Sequence, residues 1–373
     1  MQFKTDHKRV FGLDIFRAVA IILVVLVHGA YILNDTILEG FPYFSMIDGV
    51  DLFFVLSGFL IGGILLKEIN KEATFRHRQL FRFWKRRWFR TLPNYYLILL
   101  LNYLVVKHGV INEDITQFNY TFIVFLQNFS TPFHGFFWES WSLSIEEWFY
   151  IFTPLLILLS IRFFSAKTSF LVSTLIMILF PALYRLNIYD ASIDPYFWDV
   201  IFRKTVLTRL DSIGYGLLAA WTHYYYIRIW KKYRIAAFIS GTLFMLFVIH
   251  FNPGHQSIYS QVLYFSFVPI SAGLLLPLAE SIRNANGFFA WSIEHISKIS
   301  YSMYLINLAL VAEVMRDNFT PRGGTDGIIK YVLYWIIVIG VSTILYKYYE
   351  KPMMDLRDRK ISFRSLTSYI KKR

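Results

Sequence analysis

The chain has 373 residues, of which 56% are hydrophobic and 19% are aromatic, and it contains no cysteine. The apolar share exceeds that of typical soluble domains, and the lack of cysteine excludes disulfides, thiolate metal sites and a cysteine nucleophile. The formal net charge of +13 is compatible with nucleic-acid binding, but positive-inside topology explains it better in a chain with many apolar spans. Membrane lipids are therefore expected partners, and nucleic acid is not.

Ten segments are long enough to cross a bilayer, which takes about 20 residues each. No repeat of fixed period and no Ser- or Pro-rich linker divides them, so the sequence predicts an all-α polytopic membrane bundle of about ten transmembrane helices. The first segment lacks a small-residue cleavage site and is expected to remain as an uncleaved anchor. The predicted spans are residues 11–33, 46–66, 91–110, 141–161, 168–188, 211–227, 235–251, 260–280, 298–316 and 328–347.

The distribution of Lys and Arg predicts the orientation of this bundle. With both termini in the cytoplasm, most basic residues fall on the cytoplasmic side, including the dense runs 67–90 and 347–373. The positive-inside rule predicts this asymmetry. The connection between the fifth and sixth spans is the main exception, because it places three basic residues outside: Arg203, Lys204 and Arg209.

The first span carries three polar side chains on one face of an otherwise aliphatic helix. The eleven steps from Arg17 to His28 end about 20° past three full turns, and Asp14 joins the same side. Ionisable groups inside a membrane span are costly and by default indicate a functional site. The alternative is that Arg17 and His28 snorkel or bond neighbouring backbone carbonyls.

The second span begins near Asp51 and contains Gly58 and Gly62, a small-xxx-small pair that lets a neighbouring helix approach closely. In an antiparallel hairpin of the first two spans, Asp51 lies in the outer half at a depth comparable to that of His28. A carboxylate beside an imidazole fixes its tautomer and raises its basicity, so we predict this pairing. Helix capping at the interface is the alternative for Asp51.

Residues 74–90 alternate basic and aromatic side chains, which is typical of an amphipathic helix on an anionic inner leaflet. Arg87 and Arg90 lie one turn apart, just before Pro93. Guanidinium groups bind phosphate oxygens bidentately. This pair is therefore also a candidate phosphate clamp.

Polar and aromatic residues mark two later segments. Glu146, in the fourth span, is predicted to lie about as deep as Asp51, and the ninth span carries polar side chains that serve either as interhelical contacts or as ligand-binding groups. The outer connection 111–140 is rich in aromatic rings, for which a membrane-interface belt is favoured over stacking on a sugar. Those rings are Phe133, Phe136, Phe137 and Trp138, and the ninth-span residues are Tyr301, Tyr304 and Asn307.

Six short motifs occur in one order along nearly the whole chain. They are R-x10-H at Arg17 and His28, G-V-D-x-F-F-V-x-S-G-F-L at 49–60, R-x-x-R at Arg87 and Arg90, W-S-L-S-x-E at 141–146, Y-S-x-Y-L-x-H/N at 301–307, and E-[KR]-P at 350–352. With these motifs the chain resembles the acyltransferase-3 family of bacterial integral-membrane acyltransferases that O-acetylate cell-surface sugars. One departure is Asn307, where many relatives have His, so a role for that imidazole is in doubt.

The resemblance implies an acyltransferase-3 transmembrane domain over residues 1–349 and a basic cytoplasmic tail over 350–373, in the bacterial cytoplasmic (inner) membrane. Some relatives carry a C-terminal extracytoplasmic domain of the SGNH type, which is not expected here. The implied co-substrate is acyl-CoA, expected to be acetyl-CoA, and the implied acceptor is a hydroxyl of an envelope glycan. No metal and no tightly bound cofactor are expected. The acceptor's identity, and direct transfer or transfer through an extracytoplasmic partner protein, stay open.

The predicted mechanism places phosphate-binding arginines near the cytoplasmic face and catalytic residues in the outer half. Arg17 and His28 are roughly 16 Å apart at 1.5 Å per residue, a gap that an extended pantetheine arm can span. His28, with Asp51 or Glu146, acts as a general base or forms an acyl-histidine intermediate. Residues expected to bind the acceptor or support the site are Asp14, Ser57, Trp141, Ser144, Tyr301, Tyr304 and Asn307.

Two other functions are compatible with buried charges in membrane spans. A glycan or small-molecule transporter or flippase lines its substrate pathway with such residues, but no inverted repeat or pair of broken helices is evident. A membrane scaffold or sensor needs none of them.

Overall fold

The computed structural model describes residues 9–41, 48–71, 77–251 and 253–356, and in these ranges the chain is helical without β-strands. Each of the ten predicted spans overlaps one of the long helices. These are α1 (Phe11–His28), α2 (Gly49–Lys71), α3 (His77–Lys107), α4 (Ser140–Ser160), α5 (Ala166–Asn187), α6 (Val206–Tyr225), α7 (Arg234–His250), α8 (Tyr264–Ser281), α9 (Phe288–Ile306) and α10 (Gly324–Leu345).

Six described helical segments are long and apolar enough to cross a membrane: Phe11–His28, Gly49–Lys71, Ser140–Ser160, Ala166–Asn187, Tyr259–Ser281 and Gly324–Leu356. Helix α7 is apolar but shorter, and α3, α6 and α9 are more polar. The remaining α-helical and 3₁₀ segments are short. They are Ala30–Leu33, Ile115–Gln117, Tyr120–Phe122, Pro195–Phe197, Ile227–Lys232, Val314–Asn318 and Lys351–Leu356.

The most extensive helix pair in the bundle is α2 with α6, and glycines allow it. A Cβ on Gly58 would overlap the Ile213 carbonyl of α6, and a Cβ on Gly216 would overlap the Val55 carbonyl of α2. Only residues without side chains permit such close backbone approach. The packing predicted for Gly58 is therefore confirmed, and it brings both helices to one side of the site.

The basic and aromatic run at 74–90 is not a separate interfacial helix. Residues 77–90 are the first half of α3, which continues through Pro93 to its end, whereas 74–76 lie outside the described residues. Trp84 and Trp88 stack with their ring centroids 5.7 Å apart and donate indole hydrogen bonds to α4 at 2.8 and 3.1 Å. These bonds anchor this half of α3 to the bundle.

Three of the four aromatic rings singled out between α3 and α4 are buried and do not form a membrane belt. Phe133, Phe136 and Phe137 are fully buried, and Phe122 packs on Phe136 with ring centroids 5.3 Å apart. The belt prediction and the sugar-stacking alternative are therefore both wrong for these three rings. They are part of the main hydrophobic core of the bundle, and the first residues of α4 are buried as well.

Four π-helical segments occur in the described ranges: Trp198–Arg203, Tyr259–Leu263, Asn307–Glu313 and Tyr346–Glu350. Such segments are rare and frequently lie at functional sites. The third directly continues α9 and begins at a predicted site residue, Asn307. The amide nitrogen of Asn307 donates to the carbonyls of Met303 and Tyr304, both at 2.8 Å, where α9 changes into the π segment.

Candidate functional site

Two cavities in the bundle share part of their walls. The larger has a volume of about 770 Å³ and is lined by His28, so we call it the His28 cavity. Val50 and Tyr304 line both cavities and therefore separate them. The smaller has a volume of about 100 Å³, and we call it the arginine cavity because it is lined by all three predicted donor-binding residues: Arg17, Arg87 and Arg90.

His28 is held in one tautomer by Asn307. The Nδ1 atom of His28 lies 2.6 Å from Asn307 Oδ1, and the amide nitrogen of Asn307 already donates to the two carbonyls at the end of α9. The amide oxygen can only accept, so Nδ1 of the imidazole carries the proton. Nε2 keeps its lone pair, and this is the form of imidazole that accepts a proton from a substrate.

The predicted pairing of Asp51 with His28 is not observed. Asp51 is 1% exposed and forms an ion pair with Arg209 of α6, which is 0% exposed. Asn307 takes the position beside the imidazole that we predicted for the carboxylate. Helix capping, the alternative for Asp51, is performed by Asp48, whose Oδ1 accepts a backbone N–H of α2 at 2.9 Å. Asp51 thus holds a buried arginine at the cavity wall.

The basic residues that broke the positive-inside pattern are paired with acids around the His28 cavity. Arg203 bonds Asp48 and Asp199, both at 2.8 Å, and Lys204 bonds Asp199 at 2.5 Å. Burial disfavours the charged form of Asp48, but the guanidinium of Arg203 outweighs burial and holds the pKa of that carboxyl below its usual range. These cations therefore have acidic partners within the bundle.

Aromatic rings form much of the wall of the His28 cavity. Arg203 lies 5.5 Å from the ring centroid of Trp141, and Lys204 lies 4.5 Å from that of Trp138. Flat apolar rings beside paired charged groups offer both stacking faces and hydrogen bonds, which suits a ligand rich in hydroxyls. The rings are Trp138, Trp141, Tyr196, Trp198, Tyr264 and Phe265.

The cations of the arginine cavity are arranged differently. Arg17 and Arg90 form no ion pair with any residue that the structure describes. Arg17 is half-buried and Arg90 is exposed, so the second guanidinium lies at the mouth. Three guanidinium groups face one carboxylate in this cavity, and such an excess attracts an anion with several oxygens.

That carboxylate is Glu146, which we had predicted to lie with His28. Its Oε1 accepts a hydrogen bond from Ser57 at 2.8 Å and its Oε2 accepts one from Tyr150 at 3.3 Å. The predicted depth was counted as if α4 began at the membrane surface, but its first residues are buried. Glu147 points elsewhere and accepts hydrogen bonds from α3.

Two predicted support residues have structural partners away from both cavities. Asp14 pairs with Arg9 and accepts a hydrogen bond from Ser297 of α9 at 2.6 Å. Ser144 is fully buried and accepts one from Gln127 at 2.6 Å. Both side chains join neighbouring parts of the bundle.

The tyrosines of α9 lie where they can shape the cavities. Tyr301 lines the arginine cavity and donates to the Thr91 carbonyl of α3 at 2.8 Å. Tyr304 lies in the shared wall, and its hydroxyl is 2.6 Å from Ser142 Oγ and 3.1 Å from the Glu139 carbonyl. Both hydrogen bonds tie the wall to the start of α4.

Sequence reasoning missed two buried residues of the His28 cavity. In the sequence, Arg209 was noted only as a basic residue on the predicted outer side. That unusual position was the available sign that it has an acidic partner. Glu139 was not singled out, although an acid two residues before Trp141 at a span entrance was visible in the sequence.

Comparison with known proteins identifies a family and several relatives of this chain. The acyltransferase-3 family, described as an acyltransferase domain, matches residues 10–347. A Staphylococcus aureus protein provisionally named an O-acetyltransferase is 27% identical over 96% of this chain and 59% of its own length. The Listeria monocytogenes peptidoglycan O-acetyltransferase is 30% identical over 51% of this chain and 31% of its own length. The chain thus spans less than two thirds of these relatives, and no solved structure is detectably similar.

Proposed function

Because this chain belongs to the acyltransferase-3 family, we propose that it is a membrane O-acyltransferase that moves an acetyl group from cytoplasmic acyl-CoA to a hydroxyl of a cell-envelope glycan. The observation that carries this proposal is the pair of adjoining cavities, of which one is lined by the guanidinium groups of Arg17 and Arg90, which have no acidic partner in the described ranges, and the other by His28 with Nε2 free to accept a proton. The names of the relatives support acetyl as the transferred group.

The arginine cavity is the proposed donor site. Its volume of about 100 Å³ accepts the narrow pantetheine arm, while the nucleotide phosphates lie at the mouth with the exposed Arg90. Arg17 and His28 are roughly 16 Å apart along α1, so the arm carries the thioester from the guanidinium groups past Tyr304 to the imidazole. Phosphate oxygens match the fork geometry of arginine.

In the direct mechanism, Nε2 of His28 removes the proton from the acceptor hydroxyl as its oxygen attacks the thioester carbonyl. The tetrahedral intermediate then collapses, the C–S bond breaks, and the imidazolium returns the proton to the CoA thiolate. In the two-step mechanism, Nε2 attacks the thioester and the thiolate leaves. The acceptor oxygen then takes the acyl group from the imidazole, and the acceptor proton ends on the thiolate. In both mechanisms, Asn307 accepts the hydrogen bond from Nδ1–H of His28.

The proposed membrane arrangement has ten crossings with both termini in the cytoplasm. It places the arginine cavity at the cytoplasmic end, where acyl-CoA is available, and the His28 cavity at the outer end. Residues 1–349 are the proposed transmembrane domain and 350–373 the cytoplasmic tail, of which 357–373 lie outside the described residues. The charge distribution supports this orientation, and the proposed location is the bacterial cytoplasmic membrane.

The proposed acceptor binds in the His28 cavity against its aromatic rings. The Listeria relative is named for peptidoglycan, as is a Bacillus subtilis protein, provisionally so named, that is 31% identical over 52% of this chain and 31% of its own length. Peptidoglycan glycan strands are therefore the first acceptor to test. A cavity of about 770 Å³ is large enough to enclose part of a sugar chain.

The test uses membranes that contain the native chain, His28→Ala or His134→Ala at matched protein levels. His134 is an exposed imidazole outside both cavities and provides the control. With radiolabelled acetyl-CoA and added peptidoglycan strands, we expect alkali-labile label in the glycan for the native and His134→Ala proteins, and a loss of about 10²- to 10⁴-fold for His28→Ala.

Other outcomes of this test contradict parts of the proposal. Equal label with the native and His28→Ala proteins would remove His28 from the mechanism. Label that stops on another protein would show transfer through a partner. Transport of glycan without any consumption of acetyl-CoA would favour the transporter alternative.

A further inference from the structure

We infer that Glu139 takes part in the reaction, as a neutral carboxyl whose O–H donates a hydrogen bond to the carbonyl oxygen of the acyl group in the tetrahedral intermediate. The inference deepens the proposed function and rests on it. It concerns a residue that none of the six sequence motifs contains.

Glu139 lies immediately before α4, in the wall of the His28 cavity, and is 1% exposed. Its Oε1 accepts the backbone N–H of Ala309 at 2.8 Å. Its Oε2 is buried and has no hydrogen-bond partner within the described residues. A buried polar atom without a partner costs about 1–3 kcal/mol, so a ligand that satisfies this atom gains affinity or rate.

The position of Glu139 relative to His28 is fixed by one turn of helix. Asn307 bonds His28, and Ala309, two residues further along the same π segment, bonds Glu139. The imidazole and the carboxyl therefore both rest on the Asn307 turn. A reacting group beside Nε2 of His28 has this carboxyl as a neighbour.

Other polar groups near this turn already have partners. The Tyr304 hydroxyl bonds Ser142 and the Glu139 carbonyl, and the Asn307 amide donates to two carbonyls of α9. Arg203 and Lys204 are occupied by carboxylates. Oε2 of Glu139, in contrast, has no hydrogen-bond partner within the described residues, so a substrate can engage it.

The protonation state of Glu139 follows from its surroundings. Burial raises the pKa of this carboxyl to about 8, although the N–H groups of Ala309 and of Glu139 itself oppose the shift. At neutral pH the carboxyl therefore carries a proton, and because Oε1 accepts from Ala309, the proton lies on Oε2. The titratable groups around it are Glu113 from the α3–α4 connection, Glu313 with its partner Arg316, Tyr304 from α9 and Tyr334 from α10.

A neutral carboxyl suits the charge that develops during acyl transfer. Attack on the thioester places negative charge on its carbonyl oxygen, and a preorganised donor in a dry site stabilises that charge. No covalent bond forms at Glu139, and its proton stays on the carboxyl throughout. An ionised carboxylate at this position would repel the same oxyanion and slow the reaction.

The experiment compares Glu139→Gln, Glu139→Ala and the control Glu113→Gln, each purified in detergent with matched thermal unfolding midpoints, in the labelled acetyl-CoA assay with peptidoglycan strands. Gln keeps an acceptor for Ala309 and a neutral N–H donor but cannot ionise. Glu113 is a matched control because it is a partly buried carboxyl that also accepts a backbone N–H, at 3.1 Å, and has its pKa raised by burial to about 7, yet it lies outside both cavities.

We expect Glu139→Ala to lower kcat by about 10²- to 10³-fold, as removal of one oxyanion donor does, and Glu139→Gln to stay within about 5-fold of native. The native rate and that of Glu113→Gln should fall above about pH 8, as Glu139 loses its proton, and this fall should be absent in Glu139→Gln.

Three results would overturn the inference. If Glu139→Gln were as inactive as Glu139→Ala and had a native-like unfolding midpoint, the ionised carboxylate would be required. A native-like rate for Glu139→Ala would show that the residue is dispensable. Absence of transfer by the native protein would reject the proposed function and this inference with it, whereas the first two results leave the proposed function standing.

Discussion

The two cavities use the same kind of charged side chain in opposite ways. In the His28 cavity, Arg203 and Arg209 pair with aspartates, whereas in the arginine cavity Arg17 and Arg90 pair with no acid in the described ranges. A buried cation that already has its counter-ion is part of the fold, and removing one partner of the ion pair is costly. A cation without one is available to the anionic part of a ligand.

In the proposed function, this difference assigns the donor to one cavity and the acceptor to the other. The unpaired guanidinium groups suit the phosphates of a donor, and the internally neutralised cavity with its aromatic rings suits a hydroxylated acceptor. His28 lines the proposed acceptor cavity, so the proposed route takes the acyl group past Tyr304, which lines both cavities. The predictions that follow change one side of this comparison at a time.

Breaking an ion pair in the His28 cavity has the largest expected effect. Asp51→Ala leaves Arg209 buried without its counter-ion, which costs about 3–5 kcal/mol of unfolding free energy. The thermal unfolding midpoint in detergent should fall, and Asp51→Ala with Arg209→Met should recover part of the loss. The control is Asp326→Ala, which breaks a more exposed pair with Lys330 and should cost at most about 1 kcal/mol. Equal losses would contradict a structural role for the buried pair.

Removing the partner of His28 comes next. Asn307→Ala frees the imidazole to adopt the other tautomer, so kcat should fall by about 100-fold, within the range of acid–base contributions, while KM for acetyl-CoA stays native. Asn318→Ala, which removes an exposed amide, is the control for the kinetic assay. A kcat within about 3-fold of native for Asn307→Ala would show that another group orients the imidazole.

Ionic strength should act on one cavity alone. Salt screens exposed and half-exposed charges, and Arg90 is exposed at the mouth of the arginine cavity. Raising NaCl from about 0.05 to 0.5 M should raise KM for acetyl-CoA by about 3- to 10-fold and leave KM for peptidoglycan strands unchanged. A matching rise in both constants would remove the distinction between the cavities.

The smallest expected effect comes from the polar support of the arginine cavity. Ser57→Ala removes the 2.8 Å hydrogen bond to Glu146. A hydrogen bond to a charged group is worth about 1.5–3 kcal/mol, and the loss is smaller here because Tyr150 still donates to Glu146. KM for acetyl-CoA should change by about 2- to 5-fold with kcat unchanged. Ser240→Ala on α7, an exposed serine, should change neither. A lower kcat with native KM would place Glu146 in the chemical step.

The helices and the arginine cavity could be predicted from the sequence because both depend on local patterns. Apolar runs located the ten long helices, and the spacing of Arg87 and Arg90 placed them on one face of α3. Arg17 of α1 lines the same cavity. Charge counting also identified the anomalous cluster Arg203, Lys204 and Arg209.

The partners of the buried charges could not be predicted, because they come from distant parts of the chain. His28 bonds Asn307 and Asp51 bonds Arg209, and tertiary packing alone decides between those pairs and the one we predicted. The prediction that Glu146 lies with His28 was wrong for a related reason, because Glu146 lines the other cavity. A count of residues from the end of a span does not show that the start of α4 is buried.

The most direct test of the account measures two Michaelis constants in two variants. Arg90 and Tyr196 are both exposed, one at each cavity, so their replacement by alanine spares the fold. Arg90→Ala should raise KM for acetyl-CoA by about 10- to 100-fold without changing KM for peptidoglycan strands. Tyr196→Ala should raise KM for the strands by about 2- to 10-fold without changing that for acetyl-CoA. The assignment of two substrates to two cavities would be wrong if each variant raised both constants equally. It would also be wrong if Arg90→Ala raised only KM for the strands and Tyr196→Ala raised only KM for acetyl-CoA.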